Sequence, residues 1–269
     1  MRYKSRLGAV LAVLVCSCPV WANYTKLDDF NRTPGTYMGP AWNENRLDFS
    51  IMALEPPNNV TKATNFAEMT YAGDLQGLSP TNDWFSVSAV HSGESAPQYA
   101  ALVLRQADAA NSVFIKIQDN NGDGRFDYVF FYRGTAPAQP WVGMTGGLFA
   151  EALSLPGPGN EVGIRASVAD DFSHPGMLQV VVQIDGNHNG IWGEVEDDEF
   201  VRGNLNPAGL GTNVGLAGTG GALMDDFGGT HNPEFVDNLD GTYIPEPVTL
   251  ALVLGGGLIG LGRRRIRVC

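Results

Sequence analysis

The chain reads as an all-β protein in which one sheet packs on another, and three observations lead there. Its central region is a series of short runs in which apolar and polar residues alternate, divided by Gly, Asn, Asp and Pro, the period-two pattern of half-buried strands. No heptad repeat and no long amphipathic helix interrupts the series. The run Tyr128, Phe130, Tyr132 puts three large aromatics on one strand face, and such a face needs a second sheet or a covering loop to exclude water.

Taken in order, Leu27-Asp28-Asp29-Phe30 opens the body, and Trp42 follows a Pro34-Gly35 turn. Leu47, Phe49, Ile51 and Ala53 alternate with polar neighbours and predict a strand, whereas residues 55–64, with Pro56-Pro57-Asn58-Asn59, read as loop. Phe85, Val87 and Ala89 predict the next strand and Ala101–Arg105 another. Val113, Ile115 and Ile117 lead through Asp119-Asn-Asn-Gly-Asp-Gly-Arg125 to the aromatic strand, which is the clearest hairpin in the chain. Val162, Ile164, Ala166 and Val168 pass through a turn around Asp170–Gly176 to Leu178, Val180, Val182 and Ile184. Val181 gives that last run a second apolar face, as a central strand would have. Phe200-Val201 and Val214–Leu216 predict shorter strands, and Leu223-Met224-Asp225-Asp226-Phe227 closes the series.

The two ends differ from this body. Arg2, Lys4 and Arg6 precede an apolar core, Leu7 to Val15, and Val20-Trp21-Ala22 offers a small residue before a cut, so residues 1–22 read as a secretory signal peptide. A lipoprotein signal using Cys18 is the alternative at that end. At the other end Pro245-Glu246-Pro247 breaks the chain before an apolar run, Val248 to Gly262, and Arg263, Arg264, Arg265 and Arg267 follow. Fifteen residues make a marginal transmembrane helix, and the arginines would keep its far end in the cytoplasm. An ordinary C-terminal anchor accounts for the apolar run and the arginines but does not require the tripeptide.

The three parts of that tail, in that order, resemble the PEP-CTERM sorting signal of Gram-negative bacteria, also labelled the ice-binding protein C-terminal domain. Nothing in these residues points to ice. The resemblance covers residues 244–269 and implies inner-membrane anchoring, recognition by exosortase through Pro245, Glu246, Pro247, Arg263, Arg264 and Arg265, and release to the cell surface or extracellular matrix. The domain boundaries expected are therefore 1–22, 23–243 and 244–269. Within the body, the near copies Leu27-Asp28-Asp29-Phe30 and Met224-Asp225-Asp226-Phe227 bracket the strands. Such bracketing resembles the concanavalin A-like jelly-roll sandwiches, laminin-G-like domains among them, and implies that first and last strands lie near each other. An open β-barrel is the alternative.

All three cysteines, Cys16, Cys18 and Cys269, lie in the end segments, so an exported body without disulfides must depend on its core. The end segments also hold seven of the 17 basic residues and one of the 29 acidic ones, which leaves the body 10 against 28 and a net charge of −18. A surface of that sign repels nucleic acid and anionic lipid.

Four sets of residues could carry chemistry. Asp185, Asn187, Asn189 and Gly190, with Glu196 at position twelve, fit the calcium-loop formula, and Asp119, Asn121, Asp123 and Asp127 repeat its first half, with Phe130 at position twelve. The same Asp, Asn and Gly residues are what tight hairpins require, so calcium binding and plain turn chemistry both stay open. The run Glu194-Val-Glu196-Asp-Asp-Glu199 approaches the Glu-hydrophobic-Asp-x-x-Glu pattern of family 16 glycoside hydrolases, with Glu196 where Asp belongs. Trp84, Trp141 and Trp192 are candidate sugar-stacking platforms. The four histidines have no zinc spacing, and neither a Gly-x-Ser-x-Gly elbow nor a phosphate loop occurs. The sequence thus leads to a non-catalytic, exosortase-sorted surface or matrix protein, with a calcium-assisted carbohydrate-binding module and a family 16-like hydrolase as alternatives; extracellular polysaccharide is the further partner expected.

Overall fold

Alternation between core and solvent organises the chain into two antiparallel sheets of eight strands each. A computed structural model describes residues 24–35, 37–46, 49–53, 59–63, 67–94, 98–108, 111–134, 142–143, 149–153, 161–190, 192 and 197–231, and every statement below concerns these. The first sheet runs β14 (Asp198–Leu205), β13 (Leu178–Asp185), β12 (Glu161–Asp170), β6 (Trp84–Val90), β16 (Ala222–Thr230), β4 (Asn59–Ala63), β3 (Phe49–Ala53). β1 (Thr25–Asp28) pairs with the second half of β16. The second sheet runs β10 (Val142–Gly143), β9 (Tyr128–Gly134), β8 (Asn111–Gln118), β7 (Tyr99–Asp108), β15 (Asn213–Thr219), β5 (Ala67–Tyr71), β2 (Trp42–Arg46), and β11 (Phe149–Ala152) also pairs with β9. The expected all-β, two-sheet sandwich is what the chain forms. Among the described residues no helix is long and apolar enough to cross a membrane. The signal peptide, the cysteines and the whole tail, with Pro245, Glu246, Pro247, Arg263, Arg264 and Arg265, lie outside the described residues.

One core lies between the sheets. Phe85, Val87 and Ala89 of β6, Ile164 and Ala166 of β12 and Val180 and Val182 of β13 meet Leu102 and Leu104 of β7, Ile115 and Ile117 of β8, and Val129 and Phe131 of β9. β13 lies between β12 and β14, and Val181 on its outer face is buried as well, as its doubly apolar sequence implied.

Two expectations need correction. Tyr128, Phe130 and Tyr132 do not face the core. In the hairpin Ile115 pairs with Phe131 and Ile117 with Val129, and directly paired residues share a face. The smaller aliphatic set of β8 thereby turns Val129 and Phe131 inward and the three aromatics outward. Nor are residues 55–64 all loop, because Asn59–Ala63 form β4, which fills the place between β3 and β16. β2 (WNENR) and β5 (AEMTY) escape a pattern-based reading as well, since the buried Glu68 and Thr70 of β5 bond with Asn45 of β2 and Gln106 of β7.

The two Asp-Asp-Phe copies meet in space, with Asp28 in register with Phe227. Phe30 and Phe227 are fully buried on either side of Trp42, at ring-centroid distances of 5.7 and 5.2 Å, and Tyr71 closes the cluster at 5.2 Å from the indole. Beneath these rings the buried Asp28 carboxylate accepts the Phe30 N–H at 2.7 Å and the Trp42 Nε1–H at 2.6 Å, and it pairs with Arg32. β1 belongs to the first sheet and Trp42 to the second, so this carboxylate bridges the layers. Asp28→Ala strands two buried donors and is expected to cost about 2–6 kcal/mol in denaturant unfolding, from about 1–3 kcal/mol per unsatisfied group. A loss below about 1 kcal/mol would show that the bridge is dispensable.

Candidate functional site

The residues with binding chemistry collect on the outer face of the first sheet. Because Phe85 and Ile164 point into the core, alternation sends Trp84, Ser86 and Ser88 of β6 and Gly163 and Arg165 of β12 outward. Gln183 of β13 and Glu199 of β14 extend the same face, in register with Arg165 and with each other. The Arg165 guanidinium carbon lies 4.7 Å from the Trp84 ring centroid and 4.8 Å from that of Trp192, within the range of cation–π attraction. Arg165 Nε donates to Gln183 Oε1 at 2.6 Å, and Gln183 Nε2 in turn donates to Glu199 Oε2. A guanidinium, an amide and a carboxylate thus run in one line across three strands.

Trp192 reaches this face because Gly163 leaves room for it. A Cβ at position 163 would lie 2.8 Å from Trp192 Cη2, closer than van der Waals contact permits. The loop that brings Trp192 back over the sheet begins at Asp185, which is 1% exposed. Its Oδ2 accepts the Gly190 N–H at 2.7 Å, and its Oδ1 accepts that of Asn189 at 3.3 Å. Asn187 Oδ1 accepts the Asn189 N–H as well. His188, with φ 50°, sits at the tip, where its Nε2 lies 2.8 Å from Ser88 Oγ and its Nδ1 3.6 Å from Glu161.

The sixth position of the other loop does the same. Gly124 N–H donates to Asp119 Oδ2 at 3.0 Å, Gly122 N–H donates to Oδ1, and Asp127 Oδ1 accepts the Asn120 N–H. At the tip Asn121 Nδ2 donates to Asp123 Oδ2, and Asn121 Oδ1 accepts the Asp123 N–H. Asp119 lies 3.1 Å from Nε2 of the buried His91, which reaches it from the end of β6. The two loops are one structural motif, a turn closed by the carboxylate of its first residue. Among the described residues no three His, Cys, Asp or Glu side chains converge to hold a metal. Glu196, the ligand that would complete the Asp185 set, and Glu194 and Trp141 lie outside the described residues.

Asp225, on β16 opposite Ser88, is a member of this face that the sequence marked only as part of the closing Asp-Asp-Phe copy. Burial pushes its carboxyl from 3.8 up to about 7; the neighbouring Asp226 and Asp29 act in the same direction, while the Asp226 N–H and Lys26 oppose them. Asp171, which caps the β12–β13 turn, behaves oppositely. Bonds from the Asn204 N–H, His174 and the Ser173 N–H hold its carboxyl below the usual range despite its burial. An open cleft elsewhere, lined by Arg32, Pro34, Tyr37 and Pro40, has little polar chemistry, since Arg32 is engaged by Asp28 and the Met38 carbonyl.

The chain matches no protein-family model and no curated protein. Among solved structures it is similar to a carbohydrate-binding module, CBM66 from Bacillus subtilis. The identity is 10%, the TM-score 0.41, and the match covers 71% of this chain and 95% of that one. A likeness at that level carries no argument about what the face binds.

Two measurements check these assignments. The folded chain keeps a proton on Asp225 that the unfolded chain releases, so this group's stabilisation is full below about pH 4 and is lost as pH rises to about 7. Relative to the parent, Asp225→Asn should therefore gain stability between pH 4 and pH 8; a pH-independent difference in unfolding free energy would contradict the shift. For the loops, a melting midpoint that rises from excess chelator to millimolar calcium would establish a bound ion, and equal midpoints would leave turn closure as the role of Asp119 and Asp185.

Proposed function

We propose that this chain is an exported, non-catalytic domain that binds extracellular polysaccharide on the outer face of its first sheet. The observation that carries the reading is Arg165 held between Trp84 and Trp192 and joined through Gln183 to Glu199. Indole faces suit the C–H faces of a pyranose, and fixed planar donors and acceptors suit its hydroxyls. Trp84 is buried and Trp192 half-buried, so Trp192 and the polar line beside it are the groups a ligand meets. The side chains hold one another in place, which lowers the ordering cost of binding.

Delivery completes the proposal. The signal peptide and the PEP-CTERM-like tail support export across the inner membrane of a Gram-negative cell, processing by exosortase, and residence at the cell surface or in the matrix. The hydrolytic alternative draws on Glu194, Glu196 and Glu199. Of these Glu199 is described, and its carboxylate serves as acceptor for Gln183. No turnover of β-glucans is expected.

A glycan array probed with the exported protein should give saturable binding. Trp192→Ala and Arg165→Ala should each weaken it by about tenfold or more, equivalent to about 1.4 kcal/mol. Binding that survives both substitutions places the ligand elsewhere, and an array without any saturable signal removes the function itself.

A further inference from the structure

The second sheet has an aromatic layer of its own on its outer face. Leu102, Ile115 and Phe131 point into the core, so Tyr99 of β7, Phe114 and Lys116 of β8, and Tyr128, Phe130 and Tyr132 of β9 point away from it. Phe130 and Tyr132 lie parallel to within 7° at a centroid distance of 5.9 Å, and Tyr128 stands 6.1 Å from Phe130. Tyr99 and Phe114 lean together at 6.3 Å, although their strand positions are four residues apart in register; Ala101, between them, contributes only a methyl. Phe114 and Tyr99 are buried, whereas Tyr128 and Tyr132 are half-buried.

Lys116 stands at the centre of this layer. Its Nζ is 4.6 Å from the Phe130 ring centroid, 5.0 Å from that of Tyr99 and 5.2 Å from that of Tyr132. Its hydrogen bond goes to a neutral acceptor, Gln118 Oε1, at 2.5 Å. Among the described residues no carboxylate lies within ion-pair distance of it. The carboxylate on the same face, Glu68, is buried two strands beyond β7 and accepts from Asn45 and Gln106 instead. Buried or half-buried lysines ordinarily have a counter-charge or carry their ammonium to open water. Burial here lowers the Lys116 ammonium from 10.5 to about 8. Among the described residues this ammonium stands inside an aromatic layer with an amide and no carboxylate as its partner, an arrangement that suits a counter-charge supplied by a ligand.

We propose that this outer face of the second sheet is a separate binding surface for acidic saccharide, with the sugar carboxylate received by Lys116 Nζ and the ring packed against the aromatic layer. The inference rests on the polysaccharide-binding reading and extends it to a second face and a stated ligand charge. The net negative body repels a polyanion at long range, but beyond a Debye length of about 8 Å at physiological salt that repulsion is largely screened. A contact pair in a partly desolvated site is screened much less, so local complementarity at Lys116 decides. With one surface on each sheet, a single domain can hold two chains of matrix polymer at once.

Titration calorimetry on the exported protein tests this, with tetragalacturonate as the acidic probe and a neutral glycan that the first sheet binds as the control. Tetragalacturonate should bind saturably. Lys116→Gln should weaken it about tenfold or more, Lys116→Arg should retain it, and both variants should keep the parent's affinity for the neutral glycan and its melting midpoint. The proposal is overturned if tetragalacturonate fails to bind while the neutral glycan binds. It is equally overturned if the acidic affinity survives Lys116→Gln, or if a carboxyl-reduced tetramer binds the parent as tightly. Loss of neutral binding through Trp192→Ala, with acidic binding intact, would separate the two faces, whereas absence of all binding takes both readings down together.

Discussion

The sandwich closes on a buried carboxylate. Asp28 sits at the end of β1, between the sheets, where an unpaired charge would be costly, and three donors from different parts of the chain converge on it. Each fixes something the rest depends on. The Phe30 N–H sets the sharp bend after β1, where Phe30 has φ 51°, and the Trp42 indole ties the second sheet to the first. Arg32 holds the segment between them. With Phe30, Trp42, Tyr71 and Phe227 packed around this point, the first and last strands of the series are locked side by side in a body without cysteine. The repeated Asp-Asp-Phe therefore has a structural role in this closure. One copy supplies the bridging carboxylate, and the other supplies the aromatic ring in register with it.

Once the layers are closed, each sheet has an outer face free for other work, and both faces use the same device. A cation drawn from a scarce supply is laid on aromatic rings: Arg165 between Trp84 and Trp192 on one side, Lys116 over Phe130, Tyr99 and Tyr132 on the other. The two differ in how their charge is answered. Arg165 is connected through Gln183 to Glu199, whereas among the described residues the Lys116 ammonium has the neutral amide of Gln118 as its hydrogen-bond partner. The difference in the partner, more than in the rings, separates the ligand classes proposed for the two faces.

The strands with clean alternation, β6, β8, β12 and β13, were legible because their inner faces are uniformly apolar and their outer faces polar or mixed. β2, β4 and β5 were not. In β2 and β5, Asn45, Glu68 and Thr70 bond with one another and with Gln106 across the outer face, a satisfaction invisible to any local pattern. The aromatic strand β9 misled for a related reason. Hydrophobicity says that a ring avoids water but not on which side of the sheet it does so. Of the site, Trp84 and Trp192 were candidates as separate residues, but Arg165 and Gln183 carried no signal at all. A guanidinium is unremarkable in sequence until two indoles flank it.

The amino-acid sequence by itself determined the all-β class, the hairpin position of the Asp119 loop, the cysteine-free acidic body and the distinct character of the two chain ends. All of these follow from local composition and period, which need no knowledge of what lies across the sheet. Only the tertiary structure decided which face of β9 is core, that Asp28 stands in register with Phe227, and that tryptophans far apart in the chain share one arginine. Those outcomes depend on strand register, where a shift of one residue exchanges the two faces, and register is set by the cooperative packing of both sheets.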